Sequence, residues 1–184
     1  SGGVDIMTGR PFQGVLTAPV GATVVNPLTT LVQAMVSGGQ AASVAEATAA
    51  VQQALGLPEN INLLSYDPLV VLASGTASGA EQQAALAVQA TALQIANVIT
   101  QVANSIDASG SLTLQSSAAT VITALANVVG RATGVLDLSS ADTLGKVVQD
   151  AVTQSGISSL NTTQLSQISA VTARSLKFIQ IEQT

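Results

Sequence analysis

The chain has 184 residues and a formal net charge of −5, with 47% apolar residues but only 2% aromatic ones. That length is enough to bury one hydrophobic core. Only 8% of the residues are charged, against about 25% in typical globular proteins. The five cationic residues are scattered, which excludes the Lys/Arg stripe that nucleic-acid binding requires. We expect an aliphatic core beneath a polar, mostly uncharged surface, a combination that favours a secreted or cell-surface bacterial protein.

The N-terminal part shows glycine and proline punctuation but no helical periodicity. We predict that residues 1–25, here called the leading segment, are extended and form short strands or part of a neighbouring domain's sheet. A helix is predicted to begin after Asn26, which is a favoured N-cap, with Pro27 in its first position. This helix is expected to end at residues 37–39, Ser-Gly-Gly.

Capping and terminating residues divide the rest of the chain into further helices. Ser43 and Glu46 have the spacing of a capping box, and Gly56 suits a left-handed helix end. Asp67-Pro68 predicts the start of a short helix. The remaining helices are predicted at about 80–106, 116–131, 141–154 and 161–174.

The run 82–106 contains no charged residue and is long enough for a membrane span. Glutamine and asparagine residues recur along it at helical spacing and oppose an apolar stripe. A buried core helix is therefore predicted. The residues of the stripe are Ile95, Val98, Ile99, Val102 and Ile106.

Together these elements predict a mainly α fold, an irregular bundle of about six or seven helices over residues 26–176. The alternating pattern near the C-terminus predicts an extended tail over residues 177–184. Short extended or β segments are thus predicted at the N-terminus and, by this alternation, at the C-terminus. Such segments can add to the edge of another sheet.

Histidine and cysteine are both absent from the sequence. Their absence removes Ser-His-Asp triads, cysteine nucleophiles and zinc sites with nitrogen or sulfur ligands. No two carboxylates lie at close helical spacing inside an apolar stripe, so no acid with a raised pKa is indicated. We predict no catalytic residue and no cofactor, and therefore that the chain is not an enzyme.

Two groups of oxygen-bearing side chains are candidates for calcium: Asp5 with Thr8, and Asp137 with Ser139 and Asp142. Calcium usually takes six to eight oxygen ligands, several of them carboxylates. Turns and helix caps are favoured for both groups, so no metal site is predicted, and the calcium alternative stays open.

Tyr66 has two interpretations, a ligand contact or a ring packed against the bundle, and the second is favoured because tyrosine is largely apolar. Since only three residues of the chain are aromatic, a glycan site that stacks sugars on aromatic rings is disfavoured.

Three stretches carry a resemblance to a known class of module. They are GGVDIMTGRPFQGVLTAPVGATVVNPLTTLV, SVAEATAAVQQALGLP and NLLSYDPL. Over residues 2–70 the chain resembles a helical module of large secreted bacterial surface proteins, the RTX-type and related modular adhesins. The resemblance implies a module that follows a β-sandwich repeat. It supplies no catalytic residue, and it implies calcium only in neighbouring repeats.

The resemblance and the composition predict a non-catalytic extracellular structural or adhesion module of a larger bacterial surface protein or assembly. The expected partners are neighbouring domains of the same polypeptide or copies of itself, through terminal strands. Neither nucleic-acid binding nor membrane insertion is expected. The alternative prediction is a ligand-binding helical domain that holds a peptide or an apolar ligand between helices.

Overall fold

A computed structural model describes residues 16–108, 113–156 and 162–181. Within these ranges the chain forms seven α-helices and no strand. The predicted mainly α fold is confirmed. The helices are α1 (Pro27–Ser37), α2 (Val44–Leu55), α3 (Pro68–Ala73), α4 (Gly79–Asp107), α5 (Leu114–Gly130), α6 (Ala141–Ser155) and α7 (Thr162–Ile181).

Side-chain caps begin the helices close to the predicted positions. Asn26 Oδ1 accepts the Thr29 N–H at 2.9 Å, and the Asn26 N–H donates to the Thr29 hydroxyl at 2.9 Å. This reciprocal pair is a capping box, and loss of its Asn would cost about 1 kcal/mol. Ser43 caps α2 as predicted, although Glu46 accepts from the Ala42 N–H instead of closing the box.

The longest helix, α4, lies at the centre of the bundle and is about 43 Å long at the usual rise per residue. It packs against α1, α3, α5, α6 and α7. All five residues of its predicted stripe are buried. By length and composition α4 would also suit a membrane span, a test that buried core helices pass as well.

The core is one continuous cluster of buried apolar side chains. Among the described residues, the large side chains that are fully buried are all aliphatic apart from Met35. The described part of this core therefore depends on close contact between branched aliphatic side chains. The largest of these side chains are Leu28, Leu31, Met35, Leu63, Ile95, Ile99, Ile106, Leu125, Leu144 and Leu176.

The described part of the leading segment, residues 16–25, is irregular and is fixed to the bundle at two points. Thr17 N–H donates to the Thr30 hydroxyl at 3.0 Å, and that hydroxyl lies 2.9 Å from the Thr17 carbonyl oxygen. Further along, the Thr23 and Val24 N–H groups lie 2.8 and 3.3 Å from the Leu64 carbonyl oxygen. The strands predicted within residues 1–15 lie outside the described residues.

The C-terminal part differs from the extended tail predicted for residues 177–184. Helix α7 continues to Ile181, beyond the predicted end near Arg174, so residues 177–181 are helical. Residues 182–184 lie outside the described ranges.

Helical spacing in α7 predicts that Leu165, Ile168, Val171 and Leu176 face inward. Leu176 is buried and Leu165 and Ile168 pack against the core, but Val171 is 61% exposed while Ser169 and Thr172 are buried. The Ser169 hydroxyl donates to the Leu165 carbonyl at 2.9 Å, so this polar group is satisfied within its own helix. A hydroxyl satisfied in this way can be buried at little cost, and hydropathy therefore does not indicate that Ser169 is buried.

Truncating the buried stripe of α4 should destabilise the fold. Ile99 is 2% exposed, so we expect Ile99→Ala to lower the free energy of unfolding by about 2–5 kcal/mol. Leu86 of the same helix is 56% exposed, and Leu86→Ala should change it by no more than about 0.5 kcal/mol. Urea denaturation followed by circular dichroism measures both. Equal losses in the two variants would contradict the burial described for α4.

Candidate functional site

An open groove of about 640 Å³ lies between the chain that precedes α3 and the first half of α4. We call it the Tyr66 groove. One wall is formed by irregular chain after α2, and it combines apolar side chains with amides and the tyrosine. The residues of this wall include Pro58, Asn60, Ile61, Asn62 and Tyr66.

The opposite wall belongs to α4 and is built mainly from alanine. Ala80, Ala84 and Ala87 all line the groove, because positions three and four apart share one face of a helix. Methyl side chains are too short to close the gap to the facing chain. The groove therefore exists because this face of α4 is alanine, with Glu81 and Gln83 beside it.

Hydrogen bonds from a buried side chain fix the irregular wall. Gln52 of α2 is 7% exposed, and its Nε2 donates to the carbonyl oxygens of Pro58 at 2.7 Å and Ile61 at 3.0 Å. The Tyr66 N–H donates to the Asn62 carbonyl at 2.8 Å. With these bonds made, the wall is held in one shape before any ligand arrives.

Tyr66 and Glu81 are the titratable groups of the groove. The phenol of Tyr66 has a pKa raised above 10.0, chiefly because the ring is partly buried and secondly because Glu81 is close. Glu81 Oε2 accepts the Ser78 N–H at 2.7 Å, in a capping box at the start of α4. Hydrogen bonds from Ser78 lower the pKa of Glu81, so its carboxylate is charged at neutral pH.

The structure agrees with the favoured interpretation of Tyr66, a ring packed against the bundle, while the ligand contact stays a prediction. The partly buried ring packs against the hydrophobic core and also lines the groove. Such a position gives an aromatic side chain a fixed orientation together with access to solvent.

The predicted calcium candidates Asp137, Ser139 and Asp142 form a turn and a cap. Asp137 Oδ1 accepts the Ser139 N–H at 2.8 Å and the Ser139 hydroxyl at 2.6 Å. Ser140 caps α6 by accepting the Asp142 N–H at 3.3 Å. In the described ranges, no three His, Cys, Asp or Glu side chains are grouped so as to hold a metal ion. Asp5 and Thr8 lie outside those ranges.

A second pocket, of about 380 Å³, lies between the end of α5 and α6. Arg131 and Lys146 line it together with Asp150, and Arg131 Nη1 lies 3.2 Å from Asp150 Oδ2. The Arg131 side chain is 71% exposed, so this ion pair adds little to stability.

Sequence reasoning missed Gln52 and the alanine wall. A signal existed for Gln52, because it lies between Val51 and Leu55 on the inner face of α2, where a buried amide needs partners. The alanine residues of α4 gave no such signal in the sequence. Whether they line a groove depends on which part of the chain lies opposite α4, and only the tertiary structure shows this.

The chain matches no family model, no curated protein sequence and no solved structure. The resemblance to surface adhesin modules accordingly stays a prediction, and function has to be argued from geometry and composition.

The closeness of Glu81 to Tyr66 can be tested by titration, because the chain has one tyrosine and no tryptophan. We expect phenolate absorbance to appear with a midpoint above 10.0. Glu81→Gln should move this midpoint down, because the nearby negative charge is removed while the amide can keep the capping box. Glu46→Gln, at a matched helix start outside the groove, should leave the midpoint unchanged.

The raised pKa of Tyr66 also implies a pH dependence of stability. The stability that the folded chain gains from holding the Tyr66 phenol protonated is fully present below the pKa of tyrosine in the unfolded chain. It is lost as pH rises through the folded-state pKa. Tyr66→Phe should remove this alkaline loss, which unfolding curves at increasing pH would measure. In the absorbance titration described above, an unchanged phenolate midpoint in Glu81→Gln would show that Glu81 and Tyr66 do not interact.

Proposed function

We propose that this chain is a non-catalytic structural or adhesion module of a larger bacterial surface protein, acting outside the cell or on its surface. The observation that carries the proposal is the attachment of the leading segment to the bundle. A spacer module holds its neighbour in a defined orientation only when the connecting chain is fixed to its body.

The attachment is made mainly by backbone groups. Both polar backbone groups of Thr17 contact the Thr30 hydroxyl, and the carbonyl of Leu64 holds the next part of the segment. Thr30 itself is 2% exposed, so water competes poorly for its hydrogen bonds. Tension applied at the N-terminal side would load these bonds before it reached the helices.

The composition of the surface also supports an extracellular module. Amide and hydroxyl side chains cover the bundle in place of charges, and the described residues contain one ion pair. Contacts of such a surface with neighbouring domains or copies depend little on salt. Residues 177–181 belong to α7, and strand pairing by the terminal segments stays a prediction.

The surface location can be tested on cells that produce the protein. Brief protease treatment of intact cells should release peptides of this chain together with peptides of adjoining sequence on the same polypeptide, as mass spectrometry would show. Peptides that appear only after lysis would contradict the proposal. A known cytoplasmic protein serves as the control for leakage.

The attachment of the leading segment can be tested by replacing the hydroxyl of Thr30. Thr30→Val should remove the acceptor for the Thr17 N–H and lower the free energy of unfolding by about 1 kcal/mol. Hydrogen exchange should show faster exchange at Thr17, with the helices α4 and α5 unchanged. Thr100→Val is the matched control, because the Thr100 hydroxyl donates only to the Ala96 carbonyl within α4. Unchanged exchange at Thr17 would count against the attachment.

A second candidate function is a ligand-binding helical domain that holds a peptide or an apolar ligand. The Tyr66 groove favours it, because one wall is fixed by Gln52 and the other is a continuous helix. Preorganised walls lower the entropic cost of binding. The two candidates are compatible, since an adhesion module needs a surface that recognises another molecule.

A further inference from the structure

We propose that the Tyr66 groove binds an extended peptide segment through a lysine side chain, whose ammonium group lies between Tyr66 and the Glu81 carboxylate. The proposal rests on the second candidate function, the ligand-binding domain, and names its ligand. It is argued from the charge, the lining and the hydrogen-bonding capacity of the groove.

Charge complementarity selects a cation. Among the residues that the structure describes, Glu81 is the one charged side chain that lines the groove, and no lysine or arginine lines it. An anionic ligand would be repelled by this carboxylate, whereas an ammonium group would be attracted to it. Glu81 uses Oε2 for the Ser78 N–H, and a carboxylate has capacity for further hydrogen bonds.

Tyr66 provides a second favourable contact for the same group. Tyr66 and Glu81 line the groove from its two opposite walls. A cation near an aromatic ring is stabilised by the charge distribution of the ring. An ammonium group placed between the walls would therefore interact with both side chains at once.

The remaining lining suits the rest of a lysine-bearing peptide. Ala84, Ala87 and Ile61 offer an apolar surface for the methylene groups of the lysine side chain. The side-chain amides of Asn60 and Gln83 line the groove and make no hydrogen bond within the described residues. Amides of this kind can both donate to and accept from a peptide backbone.

A neutral carbohydrate fits the groove less well. Sugar sites generally stack rings on aromatic side chains, and within the described ranges Tyr66 is the one aromatic residue that lines the groove. A sugar would also leave the Glu81 charge without a counter-charge.

The test is a titration of the whole chain, labelled with ¹⁵N, with a blocked alanine pentapeptide that has lysine at its centre. We expect amide shifts concentrated at residues lining the Tyr66 groove, and weaker binding at high salt. The same pentapeptide with glutamine at its centre should bind more weakly. Glu81→Gln should weaken lysine-peptide binding by about two- to fivefold, the range for an exposed ion pair.

Matched variants separate the groove from the rest of the surface. Ala87→Leu should fill the groove and abolish the shifts, whereas Ala119→Leu, at an exposed position of α5, should not. Glu46→Gln should leave the affinity unchanged, because Glu46 lies at the start of α2 and does not line the groove.

Three outcomes would overturn the proposal, and they differ in what they leave standing. Equal binding of the lysine and glutamine peptides in the groove would remove the cation preference but keep the ligand-binding function. Binding of cellobiose in the groove without peptide binding would replace the peptide by a carbohydrate. If neither peptide nor cellobiose shifted any residue of the groove, both the proposal and the ligand-binding candidate would fall.

Discussion

The bundle depends on the isoleucine and valine side chains that α4 buries, because they belong to the continuous core cluster and α4 contacts five of the other described helices. Each large aliphatic side chain buried there contributes about 1.5–3 kcal/mol. Charges cannot replace this contribution in a chain with so few of them. The position of α4 also determines where a groove remains between this helix and the chain that faces it.

The size of the side chains on α4 affects whether the space beside the helix is filled. In its second half, branched side chains such as Ile95 and Ile99 fill the space between helices. In its first half the face turned to the irregular chain carries Ala80, Ala84 and Ala87, and the space stays open as a groove. Because Ala85 and Ala103 of the same helix are fully buried, an alanine of α4 leaves open space only where no other element packs closely against it.

Local patterns made most of the fold predictable from sequence. Caps such as Asn26 and Asp67 act on N–H groups two or three residues away, so their effect is visible in the sequence itself. The stripe of α4 follows from helical periodicity. Periodicity of apolar residues does not indicate that Ser169 of α7 is buried, because its hydroxyl donates to a carbonyl of the same helix.

The candidate site was far less predictable, because its parts are brought together by tertiary structure. The position of Gln52 on the inner face of α2 indicates that it needs partners, but nothing in the sequence indicates that these are the carbonyl groups of Pro58 and Ile61. Thr30 likewise looks like an ordinary helix residue until Thr17 is placed beside it.

The attachment of the leading segment also sets an order of events during synthesis of the chain. The segment leaves the ribosome before any residue that holds it. Thr17 can dock only when the first turn of α1 presents Thr30. Thr23 and Val24 must wait for Leu64, which follows the whole of α2. The second point of attachment therefore becomes available only after α2 and the residues up to Leu64 have been synthesised.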